Sequence, residues 1–443
     1  MNKYTILVFT MVISSILMSQ EIKYFSVDEA VDYAMENNYS IINAEKTVDA
    51  ARYRVKESTS IGLPQINASI GYNDNIQRPV MIMPPEFVPP GGSNKVQFGT
   101  KYDANLTGSL SQLIFSGEYI VGLQAAQKYL DKTNTDYFKS KVDVKQQVCD
   151  SYYAALSAKE GLTIVDSTLA ITRDLADETR ETYKVGFAED IDVDQLELLV
   201  SDLEASALYL RNQSIIAHAY LKFFLGLNET DSVVLTDNME GIISTRHNSG
   251  LLANPFNVSQ NVDFRSIENQ RELSWLQVKL AKSAYMPTLS ASIYYQAQAQ
   301  RDELDFFDKN GAWFGSSALG VTMQIPVFSS GKRRSKVKQA QIEYDQIGVL
   351  KQQMESQLNL QYDAAKNEYL NAYRVFENKQ KSRKTAEKIF NVTTQKYLQG
   401  MATSLDILNT HTQFLTAEND YINSALSLLK TGEELEKILT KEE

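Results

Sequence analysis

The feature that most constrains this chain is an internal repeat. The segment Leu63–Ile70 (LPQINASI) returns 223 residues later as Met286–Ile293 (MPTLSASI). The segment Tyr183–Val193, with the spacing YxxGxAxx[IL]D, returns 214 residues later as Tyr397–Ile407. A third pair of similar blocks lies between them in each half: Leu113–Gly117 (LIFSG) and Pro326–Gly331 (PVFSSG). Three blocks that recur in one order predict two copies of one structural unit.

The repeat divides the 443 residues into four segments. Residues 1–20 join a short positive start to an apolar run, which is typical of a secretory signal peptide. The competing interpretation is a transmembrane anchor, but the apolar run is shorter than the roughly 20 residues that a membrane span needs. We therefore expect a signal peptide over 1–20, repeat 1 over 21–227, an inter-repeat linker over 228–258 and repeat 2 over 259–443.

Two long stretches without proline, 117–184 and 331–399, predict two very long helices. A proline inside a helix costs about 3 kcal/mol, so these stretches are free to form helices of roughly 100 Å. Apolar residues recur every seven positions in the first stretch, as in a coiled-coil seam: Val148, Ala155, Leu162, Leu169 and Ala176. Each long helix is followed by a glycine, which favours a turn, and then by a return helix, over 190–227 or 404–440.

Each unit also opens with a helix, about 26–61 in repeat 1. The opening and return helices together are about as long as the long helix of the same repeat. We therefore expect the two shorter helices to stack end to end beside the long one, as an antiparallel coiled-coil rod.

Between its opening and long helices, each unit contains two stretches that alternate apolar and polar residues with a period of two. They form a predicted hairpin over about 64–114 in repeat 1 and another over about 287–328 in repeat 2, with loops at their tips. Strands of about ten residues suit a tilted transmembrane β-strand, and lipid excludes open strand edges. Two chains would give eight strands and a filled interior, whereas three would give twelve strands around a lumen. The alternative is a soluble sandwich, which needs a second layer over the sheet.

The polar positions of these strands predict the side chains that would line such a lumen: Asn67, Ser69, Asn105, Thr107, Ser290, Ser292, Gln296 and Gln324. The apolar positions would then face lipid. Aromatic residues near the strand ends are candidates for an interfacial girdle: Phe98, Tyr102, Trp313 and Phe314.

Composition argues against several other functions. The chain has 44 basic and 55 acidic residues, so a basic surface for nucleic acid is not expected. It has one cysteine and three dispersed histidines, and no HExxH, P-loop or GxSxG motif occurs. We therefore expect no enzymatic activity, no metal and no cofactor. The main alternative to a membrane channel is a soluble periplasmic coiled-coil scaffold protein, which would leave the four alternating strands unexplained.

The duplicated unit, its LPxI and MPxL strand starts, its LIFSG and PVFSSG strand ends and its paired glycine turns resemble the TolC-like outer-membrane efflux proteins. The resemblance covers essentially all of the chain after the leader. It implies an α+β membrane protein, a homotrimer whose twelve-stranded outer-membrane barrel continues into a long α-helical tunnel across the periplasm. It also implies the exit duct of a tripartite efflux pump or type I secretion system, with a periplasmic adaptor and an inner-membrane transporter as partners.

The resemblance also implies a constriction at the periplasmic end, formed by acidic residues of the return helices. Asp192 and Asp406 match these acids, and Tyr397 matches a tyrosine that helps to hold the closed state. Asp190 and Asp194 crowd the same turn and would add negative charge around a threefold axis. The alternative is that these aspartates only stabilise helix N-termini. The basic partner and the further aspartate that are common in the family are replaced here by Ala402 and Asn409, so the closing contacts must differ.

The same resemblance implies that the adaptor binds at the two glycine turns. The matching residues are Val185, Gly186, Phe187, Gln399, Gly400 and Met401. The alternative is that the two glycines serve only as helix C-caps. The cargo is not readable from the sequence, because nothing in the polar strand positions is specific to one class of substrate.

Overall fold

A computed structural model describes residues 22–246, 252, 255–308 and 311–441, so the predicted signal peptide lies outside the described residues. The elements follow one another as β1 (Ile22–Phe25), α1 (Val27–Asn37), α2 (Tyr39–Ser60), β2 (Gln65–Asp74), β3 (Val80–Ile82), β4 (Lys95–Gln97), β5 (Tyr102–Ser116), α3 (Gly117–Lys184), α4 (Asp190–Leu225), β6 (Ser232–Leu235), α5 (Met239–Arg246), α6 (Val262–Ser283), β7 (Thr288–Arg301), β8 (Phe314–Gln324), α7 (Lys332–Leu398) and α8 (Ser404–Leu439).

The chain divides into two compact units. Unit 1 comprises Met1–Val48, Thr133–Glu268 and Leu350–Glu443, and unit 2 comprises Asp49–Lys132 and Asn269–Val349. The long helices α3 and α7, of 68 and 67 residues, each contribute to both units. At about 1.5 Å per residue, each is roughly 100 Å long. None of the described helices is both long enough and apolar enough to cross a membrane.

The opening helix differs from the prediction, because it is broken at Asn38 into α1 and α2. Asn38 has an extended backbone conformation. Its side-chain amide donates a hydrogen bond to the Phe224 carbonyl over 2.6 Å, and its side-chain oxygen accepts one from the Ser40 amide over 2.8 Å. Asparagine favours such caps over helix interiors because its side chain competes for backbone groups. The expected single helix over 26–61 is therefore wrong.

The core of unit 1 forms around α3. Val148, Tyr152 and Leu156 are fully buried there, and burying a side chain of this size stabilises the fold by roughly 1.5–3 kcal/mol. Of the predicted seam, Val148, Ala155, Leu169 and Ala176 are buried, and Leu162 is partly buried. The small alanines on this seam allow the neighbouring helices to approach closely.

The segment predicted as a linker, 228–258, belongs to unit 1 and contains a strand and a helix within its described residues. Strand β6 pairs in parallel with β1, and α5 follows it. The Tyr152 hydroxyl donates a hydrogen bond to the Phe25 carbonyl over 2.9 Å, and the Lys159 ammonium donates one to the Leu235 carbonyl over 3.0 Å. Both strands are therefore held against α3.

The main feature of unit 2 is a four-stranded antiparallel sheet in the order β2-β5-β7-β8. A bulge between Leu113 and Phe115 shifts the register of β5 by one residue, so Phe115 pairs with Leu289. The tip of the first hairpin was expected to be a loop, but it contains a second small hairpin, β3 with β4. Within the described residues of the sheet, β2 and β8 are the edge strands.

Candidate functional site

The register of the sheet places all eight predicted lumen residues on one face. Residues directly opposite each other on paired strands point to the same side. Ser69 pairs with Thr107, and Thr107 pairs with Gln296. The remaining five predicted residues lie an even number of positions from these three along the paired strands, so they point to the same side: Asn67, Asn105, Ser290, Ser292 and Gln324. The four strands therefore share one largely polar face.

The opposite face is apolar and open to the surroundings. Seven of its apolar side chains are exposed: Ile66, Ile70, Leu106, Ile293, Leu319, Val321 and Met323. Ile70 is 83% exposed and Leu319 is 76% exposed. Apolar faces of this extent are not left in contact with water, because each such side chain would gain roughly 1.5–3 kcal/mol from burial. Since no described element covers this face, the soluble sandwich does not account for the sheet.

Aromatic rings gather at the end of the sheet where the loops connect the strands. Tyr72 stacks on Tyr102 with 6.3 Å between ring centroids, and Phe306 lies edge-on to Tyr72 at 6.0 Å. Trp313 follows at 6.4 Å from Phe306. Tyr102 is at an apolar-face position, whereas Phe314 pairs with Gln298 and is on the polar face. A girdle role for Phe314 is therefore wrong.

The two aspartates of the predicted constriction occupy equivalent capping positions. The Glu189 amide donates a hydrogen bond to Asp192 Oδ2 over 3.1 Å, and the Thr403 amide donates one to Asp406 Oδ2 over 2.9 Å. The bonds from Thr403 lower the pKa of Asp406, because they stabilise its carboxylate form. Each aspartate is therefore the N3 residue of a capping box, at equivalent positions of the two repeats.

Two contacts join the repeats beside these caps. The Ser404 hydroxyl lies against Asp192 Oδ1 and against Gln195 Oε1, the latter at 2.8 Å. The Tyr397 hydroxyl is hydrogen-bonded to Thr179 Oγ1 at 2.9 Å, and burial raises the pKa of Tyr397. Ser404, Gln195 and Thr179 could not be identified from local sequence, since their partners lie more than 200 residues away.

The other two predicted acids of the constriction lie near the start of the same helix as Asp192. Asp190 and Asp194 lie in the first turns of α4, and both are exposed. A groove of about 710 Å³ separates the two helix turns and is lined by residues of both repeats, including Glu178, Asp192 and Tyr397. Of the predicted constriction residues, Asp192 and Tyr397 therefore line this groove, whereas Asp190 and Asp194 do not.

Both glycine turns end their long helix with the same hydrogen-bond pattern. Gly186 and Gly400 have positive φ angles of 83° and 71°, which residues other than glycine rarely adopt. The Phe187 amide bonds to the Thr182 carbonyl, and the Met401 amide bonds to the Lys396 carbonyl. The neighbouring apolar side chains Val185, Phe187 and Met401 are all exposed, while Gln399 is polar and exposed.

The histidine and cysteine side chains of unit 1 are buried at two positions, His411 and Cys149. No group of three or more metal-ligating side chains gathers within the described residues. His411 is buried in α8 next to Phe390, and burial lowers its pKa to about 4. Cys149 is buried in α3, and burial raises the pKa of its thiol to about 12, so the reactive thiolate is disfavoured.

Comparisons with solved structures place this fold among outer-membrane channels. The structure of CusC superposes with a TM-score of 0.74 at 15% identity, covering 94% of this chain and 92% of that one. The CmeC outer-membrane channel of Campylobacter jejuni gives a TM-score of 0.72 at 17% identity, with 93% and 85% covered. At this level of identity the similarity concerns the fold.

Comparisons of sequence give the family. The outer membrane protein TolC of Vibrio cholerae is 22% identical over 410 residues, covering 90% of this chain and 89% of the relative. The solvent efflux pump outer membrane protein SrpC of Pseudomonas putida is 22% identical over 426 residues, covering 92% and 84%. The family profile of the outer membrane efflux proteins matches two segments, 30–227 and 258–441. The chain therefore belongs to the outer membrane efflux protein family and is an outer-membrane efflux channel that extends into the periplasm.

Proposed function

We propose that three copies of the chain form the exit duct of a tripartite efflux pump or of a type I secretion system. The observation that carries this proposal is the amphipathic sheet of unit 2, with one polar face and one exposed apolar face across all four strands. In a closed barrel the polar face lines a passage for solutes and the apolar face contacts lipid. A soluble periplasmic scaffold would expose that apolar face to water.

The edges of the sheet favour assembly by strand addition. Strand β2 runs antiparallel to β5, β5 to β7, and β7 to β8, so β2 and β8 run in opposite directions. The β8 strand of one copy can therefore pair antiparallel with the β2 strand of the next. Lipid excludes unpaired strand edges, so the ring must close. Three copies give twelve strands, which leave a lumen, whereas eight strands would be filled by their own side chains.

A passive duct also needs a control point, and we assign it to the turns around Asp192 and Asp406. In a trimer these carboxylates, together with Asp190 and Asp194, would form a ring of negative charge at one mouth. Such a ring attracts cations and repels anions. The contacts of Ser404 and of Tyr397 join the two repeats and would favour the closed arrangement.

Planar-bilayer recording tests this assignment. The wild-type channel is expected to conduct with a preference for cations, and Asp192→Asn combined with Asp406→Asn is expected to reduce that preference. Asparagine keeps an acceptor oxygen for the cap, so the charge is the main change. The matched control is Thr403→Ala, which removes a capping hydroxyl but keeps both charges. Unchanged selectivity in the aspartate variant, or an equal change in the control, would reject the control point.

The glycine turns are the proposed adaptor contact, because each presents an exposed apolar side chain at an equivalent position: Phe187 in the first turn and Met401 in the second. Phe187 is 86% exposed at the first turn, and Met401 is exposed at the second. Phe187→Asp with Met401→Asp is expected to abolish binding of the periplasmic adaptor from the same organism in a pull-down assay. Conductance of the isolated channel should be retained. Normal adaptor binding by this variant would contradict the assignment.

A further inference from the structure

A basic patch follows the last strand of the sheet. The chain carries no acidic residue between Asp308 and Glu343. Within that interval, the first two turns of α7 carry five cations: Lys332, Arg333, Arg334, Lys336 and Lys338. The patch lies where the sheet ends and the helix begins. In an outer-membrane channel that extends into the periplasm, this junction is on the periplasmic side of the membrane.

Helix stability does not account for these cations. The N-terminal end of a helix carries partial positive charge, so basic side chains there are unfavourable by about 0.3–1 kcal/mol each. The equivalent start of α3 in repeat 1 carries Glu118 instead, and its first basic residue is Lys128. The patch is therefore a property of repeat 2 alone and is not required by the repeated fold.

One of the five cations has a structural role. Arg333 donates hydrogen bonds to Ser329 Oγ over 3.1 Å and to the Pro326 carbonyl over 2.9 Å, and its guanidinium covers the Tyr285 ring at 5.0 Å. The other four are all exposed and make no side-chain hydrogen bond or ion pair with the described residues: Lys332, Arg334, Lys336 and Lys338. Their charges are available to an external anion.

The patch continues the apolar face of the sheet. Met323 ends that face on β8, and Ile325, Val327 and Phe328 follow it with exposed side chains. Val327 is 87% exposed. Apolar side chains followed directly by several lysines and arginines fit a membrane interface, where the apolar groups enter the acyl region and the long basic side chains reach the headgroups.

We propose that Lys332, Arg334, Lys336 and Lys338 bind the phosphate headgroups of anionic glycerophospholipids in the periplasmic leaflet. This inference rests on the proposed insertion of the sheet into the outer membrane. Clusters of four or more basic residues next to a membrane-embedded segment bind acidic lipids through the summed attraction of their charges. A trimer would present three such patches around its circumference and anchor the base of the sheet at the leaflet surface.

Lipid binding to the purified trimer in detergent tests the proposal, with bound lipids counted by native mass spectrometry. The wild type is expected to bind phosphatidylglycerol more tightly than phosphatidylethanolamine. Replacing all four residues with glutamine is expected to weaken phosphatidylglycerol binding by about tenfold or more. The matched control replaces four exposed lysines farther along the same helix with glutamine: Lys381, Lys384, Lys388 and Lys396. The control is expected to bind like the wild type.

Two smaller variants keep the test decisive if the fourfold variant does not fold. Lys332→Gln with Lys336→Gln, and Arg334→Gln with Lys338→Gln, should each weaken binding in part. Equal binding by wild type and patch variants, or equal losses in patch and control variants, would overturn the proposal. The same spectra report the number of chains. A protein that forms no trimer contradicts the proposed function, whereas an intact trimer without lipid preference contradicts only the lipid site.

Discussion

Two adjacent residues of β7 provide a direct test of which face of the sheet meets lipid. Ile293 lies opposite Leu110 and Leu319 on the apolar face, and Ser292 lies opposite Ser111 and Gly320 on the polar face. Ile293 is the sixth of 14 residues in its strand, so it lies about 5 Å from the strand centre at roughly 3.3 Å per residue. A lysine at Ile293 would therefore be near the middle of the bilayer.

The expected cost follows from that position. A lysine on the lipid face of a barrel near the midplane destabilises it by about 2–4 kcal/mol, which is roughly a 30- to 800-fold change in the folding equilibrium. A lysine at Ser292 would face water in the lumen, and its cost should stay within about 0.5 kcal/mol. The difference between the two lysine variants is informative because Ile293 is 48% exposed in the single chain. In a soluble protein a lysine there would be harmless.

The assay is guanidinium unfolding of each variant refolded into phospholipid vesicles, followed by tryptophan fluorescence. Ile293→Lys is expected to lower the unfolding midpoint strongly, and Ser292→Lys is expected to leave it close to wild type. Equal effects of the two substitutions, or a larger effect of Ser292→Lys, would refute the assignment of the two faces.

Three further predictions concern unit 1. Tyr397→Phe removes the hydrogen bond to Thr179, so it is expected to increase the open fraction in bilayer recordings; an unchanged open fraction contradicts a closing role. Arg246→Ala leaves the buried Glu433 carboxylate without its ion-pair partner and is expected to cost about 3 kcal/mol in chemical unfolding. Because burial keeps His411 neutral in the fold, the unfolded state binds more protons between pH 4 and 6.5. Stability should therefore fall by about 2 kcal/mol from pH 7 to pH 5, and this loss should be smaller in His411→Leu.

The strand pattern was sufficient to predict the polar face. A one-residue slip in register would move every side chain of a strand to the other face. The alternation of apolar and polar residues therefore determines the register in which the strands pair. Ser69, Thr107 and Gln296 share a face in the structure for this reason. The prediction for Phe314 was wrong because this aromatic residue was assigned from its place at a strand end alone. The alternation of the strand, which places it on the polar face, was not applied to it.

Features that depend on distant partners could not be predicted from local sequence. The break at Asn38 is stabilised by the Phe224 carbonyl, 186 residues away. The contacts of Ser404 require a polar residue of α4, and serine is equally compatible with a simple helix start. The pairing of β1 with β6 joins the beginning of repeat 1 to the segment predicted as a linker. In each case the decisive interaction lies outside any local pattern.

The most direct test of the trimeric duct is the number of chains in the complex extracted from the outer membrane, measured by native mass spectrometry. Because four strands from each chain must close around a lumen, the complex is expected to contain three copies. A complex of two copies, or a single chain that stays in the aqueous phase without detergent, would contradict the account.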